Sequence, residues 1–351
     1  MKKWKKNTTK SNWKKPSVII FISLFSIILV IPTVIVVPFI QAGGVESKSE
    51  TTKAEEAAPV LKPSDSAFSV NVYRTAESTT ESVPLEEYVT RVVASEMPAD
   101  FELEALKAQA LAARTYVVNY LMHQTDSKLP EGADVTDTVQ HQVYKSDAEL
   151  HEVWGADYNW KINKIKKAVA ATVGEILTYN GQPITPSFFS TSNGYTEDSE
   201  NYWTNKLPYL RSVASPWDEE LSPKFEDQAI FTVAQVEKAL GVDLKPASEF
   251  TITRTDSNRV AEITMGGKTI SGRDVREALN LRSNDFTVSQ KDNHLVFKTK
   301  GYGHGVGMSQ YGANGMAKEG KNYKEIVTYY YQGVEVDQVE TTSPKLAARK
   351  E

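Results

Sequence analysis

Four short stretches carry the residue types that acid–base or saccharide chemistry uses. Glu96 sits in SEMPADF, where a helical pattern breaks, with Met97, Pro98 and Phe101 close by. A carboxylate beside apolar groups at a helix terminus can have its pKa raised by desolvation, the condition for a general acid working near neutrality. Most glutamates are solvated surface residues, and Glu86, Glu87, Glu102 and Glu104 flank this one, so position alone leaves both readings open. Arg114 is a misfit of another kind. At about 100° per residue Leu103, Leu106, Ala110, Val117 and Leu121 fall on one stripe with Arg114 at its centre. A guanidinium on an apolar face is costly unless paired and hydrogen-bonded. It is therefore a structural ion pair, a snorkelling side chain or a functional group.

The other two stretches are polar or bare. FFSTSNGYTEDSENYW, at 188–203, is followed by PYLRSV at 208–213. Hydroxyls, an Asn-Gly turn and aromatics are what a carbohydrate subsite uses, although turn residues and packed aromatics also make ordinary loops. GYGHGVGMSQYGANGMA, at 301–317, holds six glycines in its first fifteen residues. The alternation of Gly301, Gly303, Gly305 and Gly307 predicts an extended segment with one bare face, open to another backbone or a flat ligand, and Tyr302, His304 and Val306 on the other. Neither G-x-G-x-x-G nor a GK[ST] ending is present, which argues against a phosphate loop. His304 reads equally as a satisfied core histidine.

Composition narrows the chemistry. The chain has no cysteine, so thiolate nucleophiles, disulfides and thiolate metal sites are excluded. Its histidines, at 123, 141, 151, 294 and 304, form no HExxH and no close pair on a helix face, so neither a metal nor a cofactor is expected. Seven lysines and no acid precede Ser17; removing them from the formal charge of −5 leaves −12 on the rest, which argues against nucleic acid as a partner.

The elements that must position these residues fall into five segments. Residues 1–16 are a basic tail. Residues 17–40 form an uncharged run of 24, long enough to span a bilayer, and the flanking charges place the N-terminus in the cytoplasm and the body outside. A cleaved signal peptide is the alternative, but the run exceeds a signal core and no clear A-x-A site follows. Residues 41–66 read as a polar linker and 337–351 as an unstructured tail, leaving a body at 67–336. Within it the patterns predict a strand at AFSVNVYRT, helices at PLEEYVTRVVASE, FELEALKAQALAARTYVVNYL and about 163–172, and a hairpin at Asn180-Gly181. Strands FTITR, FTVSQ and HLVFKTK, an MGGKT turn, a helix near 272–279 and a last helix KNYKEIVTYYYQG follow. Helices mix with mostly antiparallel strands without a βαβ rhythm, so the fold class is α+β.

Taken together, ASEMP, the helix ending AQALAARTY, FFSTSNGYTED, PYLRSV, GYGHGVGMSQYGANGMA and YYYQG resemble the stage II sporulation protein D family over roughly 84–334. The resemblance implies a membrane-anchored lytic transglycosylase that cuts peptidoglycan glycan strands at the engulfment septum, with stage II sporulation protein P, an amidase, and the membrane protein stage II sporulation protein M as partners. It implies that Glu96 is the catalytic glutamate and Arg114 the essential helix arginine. Ser190, Thr191, Asn193, Tyr209, Arg211, His304 and Gln310 would bind substrate, with the glycines as a bare cleft wall. Some members bind zinc through a His-Cys pair; here the corresponding residues are Gln140-His141, and no zinc is expected. One glutamate suffices if the muramic acid 6-hydroxyl is the nucleophile, giving a 1,6-anhydro end. A direct Arg114–Glu96 pair would oppose the acid role, so Arg114 is expected to hold substrate or another carboxylate. The rival class is a non-catalytic glycan-binding module that stimulates an amidase.

Overall fold

A computed structural model describes residues 61–123, 129–245 and 249–348. The run at 17–40, the basic tail before it and most of the linker lie outside the described residues. Among the described residues no helix is long and apolar enough to cross a membrane.

The body mixes helices with small sheets, as the α+β reading expects. Strand β1 (Ser69–Arg74) pairs antiparallel with β2 (Thr79–Pro84) and parallel with β3 (Val135–Thr136). Pro84 caps helix α1 (Leu85–Glu96), where its missing N–H is no loss. Met97-Pro98 ends that helix because a residue before proline is pushed out of the helical region, and Met97 is extended at φ −124° and ψ 137°.

The next helix, α2 (Leu103–His123), departs from the expected amphipathic stripe. It is buried from Ala105 to Val118 on nearly every side. Alanines at 105, 108, 110, 112 and 113 leave room for neighbours to approach closely all round, so Arg114 sits in a core rather than on a face. Helix α3 (Asp147–Trp154) was not read from the sequence. Its Ser146 capping box with Glu149 was the available signal. Helix α4 (Tyr158–Ala170) begins five residues earlier than expected, at Tyr158.

Hairpin β4 (Glu175–Tyr179) to β5 (Gln182–Pro183) turns at Asn180 and Gly181, whose φ values of +53° and +72° are what a type I′ turn requires. Strand β6 (Phe188–Phe189) is parallel to β13 (Met308–Ser309), which brings the FFST segment against the glycine stretch. A second apolar core lies within residues 226–297. There β7 (Glu226–Thr232), β12 (His294–Lys300) and β11 (Phe286–Lys291) form one sheet, and β8 (Thr251–Arg254), β9 (Val260–Met265) and β10 (Lys268–Ser271) another.

The C-terminal segment corrects an expectation. Instead of an unstructured tail, β14 (Glu335–Gln338) pairs with β4, Val336 opposite Leu177, and two single-turn helices bury Val339 and Leu346. Residues 337–351 hold only two large apolar side chains, Val339 and Leu346. The backbone pairing to an open sheet edge, which composition does not register, adds the rest.

Candidate active site

Glu96 is the last residue of α1 and opens into a cleft of about 560 Å³. Trp154, Lys161, Phe188, Tyr302, Ser190 and Gln310 line the cleft with the glutamate. Oε1 of Glu96 accepts the Val143 N–H at 3.1 Å, and among the described residues no protein donor reaches Oε2. Burial raises the Glu96 pKa; the Val143 hydrogen bond and the charge of Lys145 pull it the other way without cancelling the effect. The carbonyl end of α1 acts in the same direction as burial. The result is a carboxyl that holds its proton more tightly than an ordinary glutamate, with one oxygen that no protein donor among the described residues occupies.

Gln310 is tied to that helix end. Its Nε2 donates to the Glu96 backbone carbonyl at 3.0 Å and lies 3.4 Å from Gln109 Oε1. Ser309 caps the helix that begins at Gln310, accepting the Gly312 N–H at 3.2 Å and donating to Asp218 Oδ1 at 2.5 Å. Asp218 also accepts from the Ser192 N–H at 2.7 Å and from Ser215 Oγ at 2.6 Å. Burial raises its pKa against those bonds. One buried acid thus fastens three loops behind the cleft.

Of the residues expected at the site, Glu96, Ser190 and Gln310 line the cleft and the others do not. Arg114 is fully buried and bidentate to Glu86, Nε to Oε1 at 3.0 Å and Nη2 to Oε2 at 2.6 Å. Its Nη1 donates to the Glu175 carbonyl at 2.9 Å, and Glu86 Oε1 also accepts the Gly174 N–H at 3.1 Å. Arg114 therefore does not line the cleft and presents no free donor to it. It holds another carboxylate, one of the two roles expected of it, and does not touch Glu96.

The remaining expected substrate contacts are spent inside the protein. Thr191 Oγ1 bonds Ser222 Oγ at 2.8 Å, and Asn193 Nδ2 donates to the Ser257 carbonyl and Asp285 Oδ2, both at 2.8 Å. Tyr209 Oη accepts the Thr185 N–H at 3.1 Å. Arg211 pairs with Glu200, whose carboxyl it pulls down to about 2, and with Asp198. His304 lies among Phe189, Tyr202 and Trp203, with ring centroids 5.1–5.8 Å away, and its Nδ1 accepts the Val306 N–H at 3.1 Å. Burial first, then Arg276 and Arg259, take its pKa down to about 3. It is a neutral packed histidine, the bland reading of its composition.

The glycine stretch is not extended, and no bare wall results. Gly301, Gly303, Gly305 and Gly307 all have positive φ, +82°, +120°, +86° and +81°. A Cβ at Gly305 would lie 2.4 Å from Arg259 Nε, and one at Gly307 2.0 Å from the Ser187 carbonyl oxygen. The glycines admit close neighbours of this chain, not a ligand. Alternation in the sequence mimicked a strand because every second residue needs the left-handed region.

Sequence reasoning missed Lys145, Trp154, Lys161, Lys224 and Tyr311 as cleft residues. The capping box at Ser146 would have placed Trp154 at a helix end. Lys224 and Lys145 had no local signal. His141 contacts Thr136 and Tyr120, its Nδ1 3.1 Å from the Thr136 N–H nitrogen and its Nε2 2.9 Å from the Tyr120 hydroxyl. Among the described residues no group of three His, Asp or Glu is placed to hold a metal.

The family model described as Stage II sporulation protein matches residues 73–179, which include Glu96 and Arg114. The chain is 50% identical over 336 residues to stage II sporulation protein D of Bacillus subtilis (strain 168), covering 93% of this chain and 97% of that protein. It is 46% identical over 348 residues to stage II sporulation protein D of Bacillus amyloliquefaciens, covering 96% and 100%. A more distant relative is the Amidase enhancer of Bacillus subtilis (strain 168), 29% identical over 298 residues, 69% of this chain and 39% of that one. The chain belongs to the stage II sporulation protein D family.

Proposed function

We propose that the protein is a lytic transglycosylase that cleaves the bond between N-acetylmuramic acid and N-acetylglucosamine in peptidoglycan. The observation that carries the reading is Glu96, a desolvated carboxyl with one oxygen open to a cleft walled by aromatics. Protonated Glu96 donates to the glycosidic oxygen as the C1–O bond breaks. The carboxylate left behind takes the proton from the muramic acid 6-hydroxyl as that oxygen closes on C1, giving a 1,6-anhydro end and regenerating the acid. Tethering of the hydroxyl to the reacting ring supplies proximity. A two-carboxylate hydrolase would need a second acid at the reacting carbon. The other carboxylate lining the cleft, Asp100, is exposed to water.

Peptide-free glycan suits this cleft, since its free lactyl carboxylates are anionic and Lys145, Lys161 and Lys224 line the walls. Anchoring through residues 17–40, with the body outside the membrane, and work alongside an amidase and a second membrane protein at the engulfment septum complete the proposal. A second reading, glycan binding that stimulates an amidase, is favoured by the relative named Amidase enhancer. The test incubates the full chain with peptide-free glycan strands and looks by mass spectrometry for 1,6-anhydromuramic ends. Their appearance is expected. Tight binding with no new ends would replace the lyase by the amidase-stimulating module.

A further inference from the structure

Tyr302 stands apart from the packed residues around it. Its backbone is clamped to Thr191 in both directions, Thr191 N–H to the Tyr302 carbonyl at 3.0 Å and the reverse at 2.7 Å. Gly301 before it has φ +82°, and a Cβ there would lie 2.8 Å from the Thr191 carbonyl oxygen. The Gly301 N–H is held by the Phe225 carbonyl at 2.7 Å, which fixes Lys224 and Tyr302 side by side. Tyr302 is 37% exposed and lines the Glu96 cleft. The Lys224 ammonium lies 5.3 Å from its centroid, and the Arg282 guanidinium 5.6 Å.

The cations of the cleft, and Arg282 over the Tyr302 ring, differ in how they are committed. Lys161 is paired with Asp157 at 3.5 Å, Arg282 with Asp227 at 3.1 Å, and the charge of Lys145 acts on Glu96. Lys224 is exposed and has no carboxylate partner among the described residues. A cation with no carboxylate partner, held over a partly exposed aromatic ring in a chain of formal charge −5, is chemistry for a sugar ring that carries an anion.

Resting on the glycan reading above, we propose that Tyr302 and Lys224 form a subsite in which the tyrosine stacks on one sugar ring and the lysine binds that sugar's free carboxylate. Lys224 is then a specificity-determining residue: it distinguishes a charged lactyl group from a neutral one. Tyr302 supplies sequence-blind contact to either. The constrained glycine at 301 and the Thr191 clamp hold the platform rigid, so little ordering is left for binding to supply.

The test uses the full chain and two probes, peptide-free glycan strands and the same strands with their lactyl carboxyls converted to methylamides. The wild type is expected to prefer the free carboxylates about tenfold in kcat/KM at low salt, the size of one charge-assisted hydrogen bond. That ratio should shrink toward one in Lys224→Gln, return in Lys224→Arg, and fall in the wild type as salt rises. Tyr302→Leu should weaken both probes alike. A wild-type ratio near one, or a ratio that survives Lys224→Gln, overturns the subsite. Binding of both probes to Glu96→Gln by calorimetry separates this from the lyase reading. A Lys224-dependent tenfold preference in binding supports the subsite even if no anhydro ends ever form, and cleavage without any preference sinks the subsite while leaving the lyase intact.

Discussion

Helix α1 carries a glutamate at each end, and the two have opposite fates. Glu86, in the first turn, is buried and clasped by the Arg114 fork, the Gly174 N–H and the packing of α2. Glu96, at the last residue, loses much of its water but gains only one backbone hydrogen bond and no guanidinium. Burial by itself therefore does not make an acid catalyst. A buried carboxylate with a bidentate partner becomes structure, and one desolvated without a cation at contact becomes reactive. The absence of an Arg114–Glu96 contact is what allows the pKa of Glu96 to rise.

The sharpest way to break this contrast is to neutralise each end in turn. Glu96→Gln should lower 1,6-anhydro end formation by about 10²- to 10⁴-fold, the range for losing a positioned general acid. Its far-ultraviolet circular dichroism and urea transition should stay cooperative. Activity within a few-fold of wild type would remove Glu96 from the chemistry. Arg114→Ala should do the converse. It strands the Glu86 carboxylate in the core and should cost about 3–5 kcal/mol in urea unfolding, because a lone buried charge is much worse than the pair. Arg114→Met combined with Glu86→Leu should recover most of that loss, and turnover per folded molecule should remain near wild type. If the double replacement is as unstable as the single, the pair does more than neutralise itself.

The same contrast explains what could be read in advance. Local rules worked where a residue's own backbone decided the outcome: Pro84 at a helix start, Met97-Pro98 at its end, Asn180-Gly181 and Gly266-Gly267 in tight hairpin turns. The helix end that carries Glu96 was legible because it is local, but that this glutamate rather than its acidic neighbours faces a cleft came only from the resemblance. Arg114 was legible as a misfit, but its partner Glu86 is 28 positions away and only the packing of α1 on α2 joins them. Thr191, Asn193 and Arg211 looked like sugar contacts because hydroxyl, amide and guanidinium groups satisfy a protein loop as readily as a ligand. Lys224 and Tyr302, 78 positions apart, meet because β7 pairs with β12, Glu226 opposite Lys300, and the Phe225–Gly301 backbone bond extends that pairing.

The glycines at 301–307 offer a smaller test of the same idea, since they, unlike Tyr302 among them, are structure beside the cleft rather than part of its lining. Gly305→Ala forces a Cβ to within 2.4 Å of the buried Arg259 guanidinium and places alanine at φ +86°. Overpacking of this kind costs about 1–3 kcal/mol, measurable as a lower urea midpoint. Gly320→Ala has no heavy atom within 4 Å of its Cβ although its φ is +88°, so it should show the backbone part of the penalty alone. Equal losses in both would mean that Arg259 yields freely.

The smallest expected effect is a pH signature that ties stability to catalysis. The raised pKa of Glu96 means that the fold binds its proton more tightly than the unfolded chain, whose carboxyl titrates near 4.5. Relative to Glu96→Gln, wild type should therefore be fully stable below pH 4.5 and lose stability as pH rises through the folded pKa. His304 has the opposite sign. With its pKa taken from 6.5 down to about 3, the unfolded chain gains the proton first, and stability falls as pH drops through that interval. Urea midpoints of wild type and Glu96→Gln across pH 4–8 isolate the Glu96 contribution, because His304 is common to both and cancels. The midpoint difference and the alkaline fall of kcat/KM should then bend at the same pH, since both report Glu96 in the free protein. A pH-independent difference would mean that the cleft leaves Glu96 an ordinary carboxylate, and the contrast between the two ends of α1 would reduce to geometry alone.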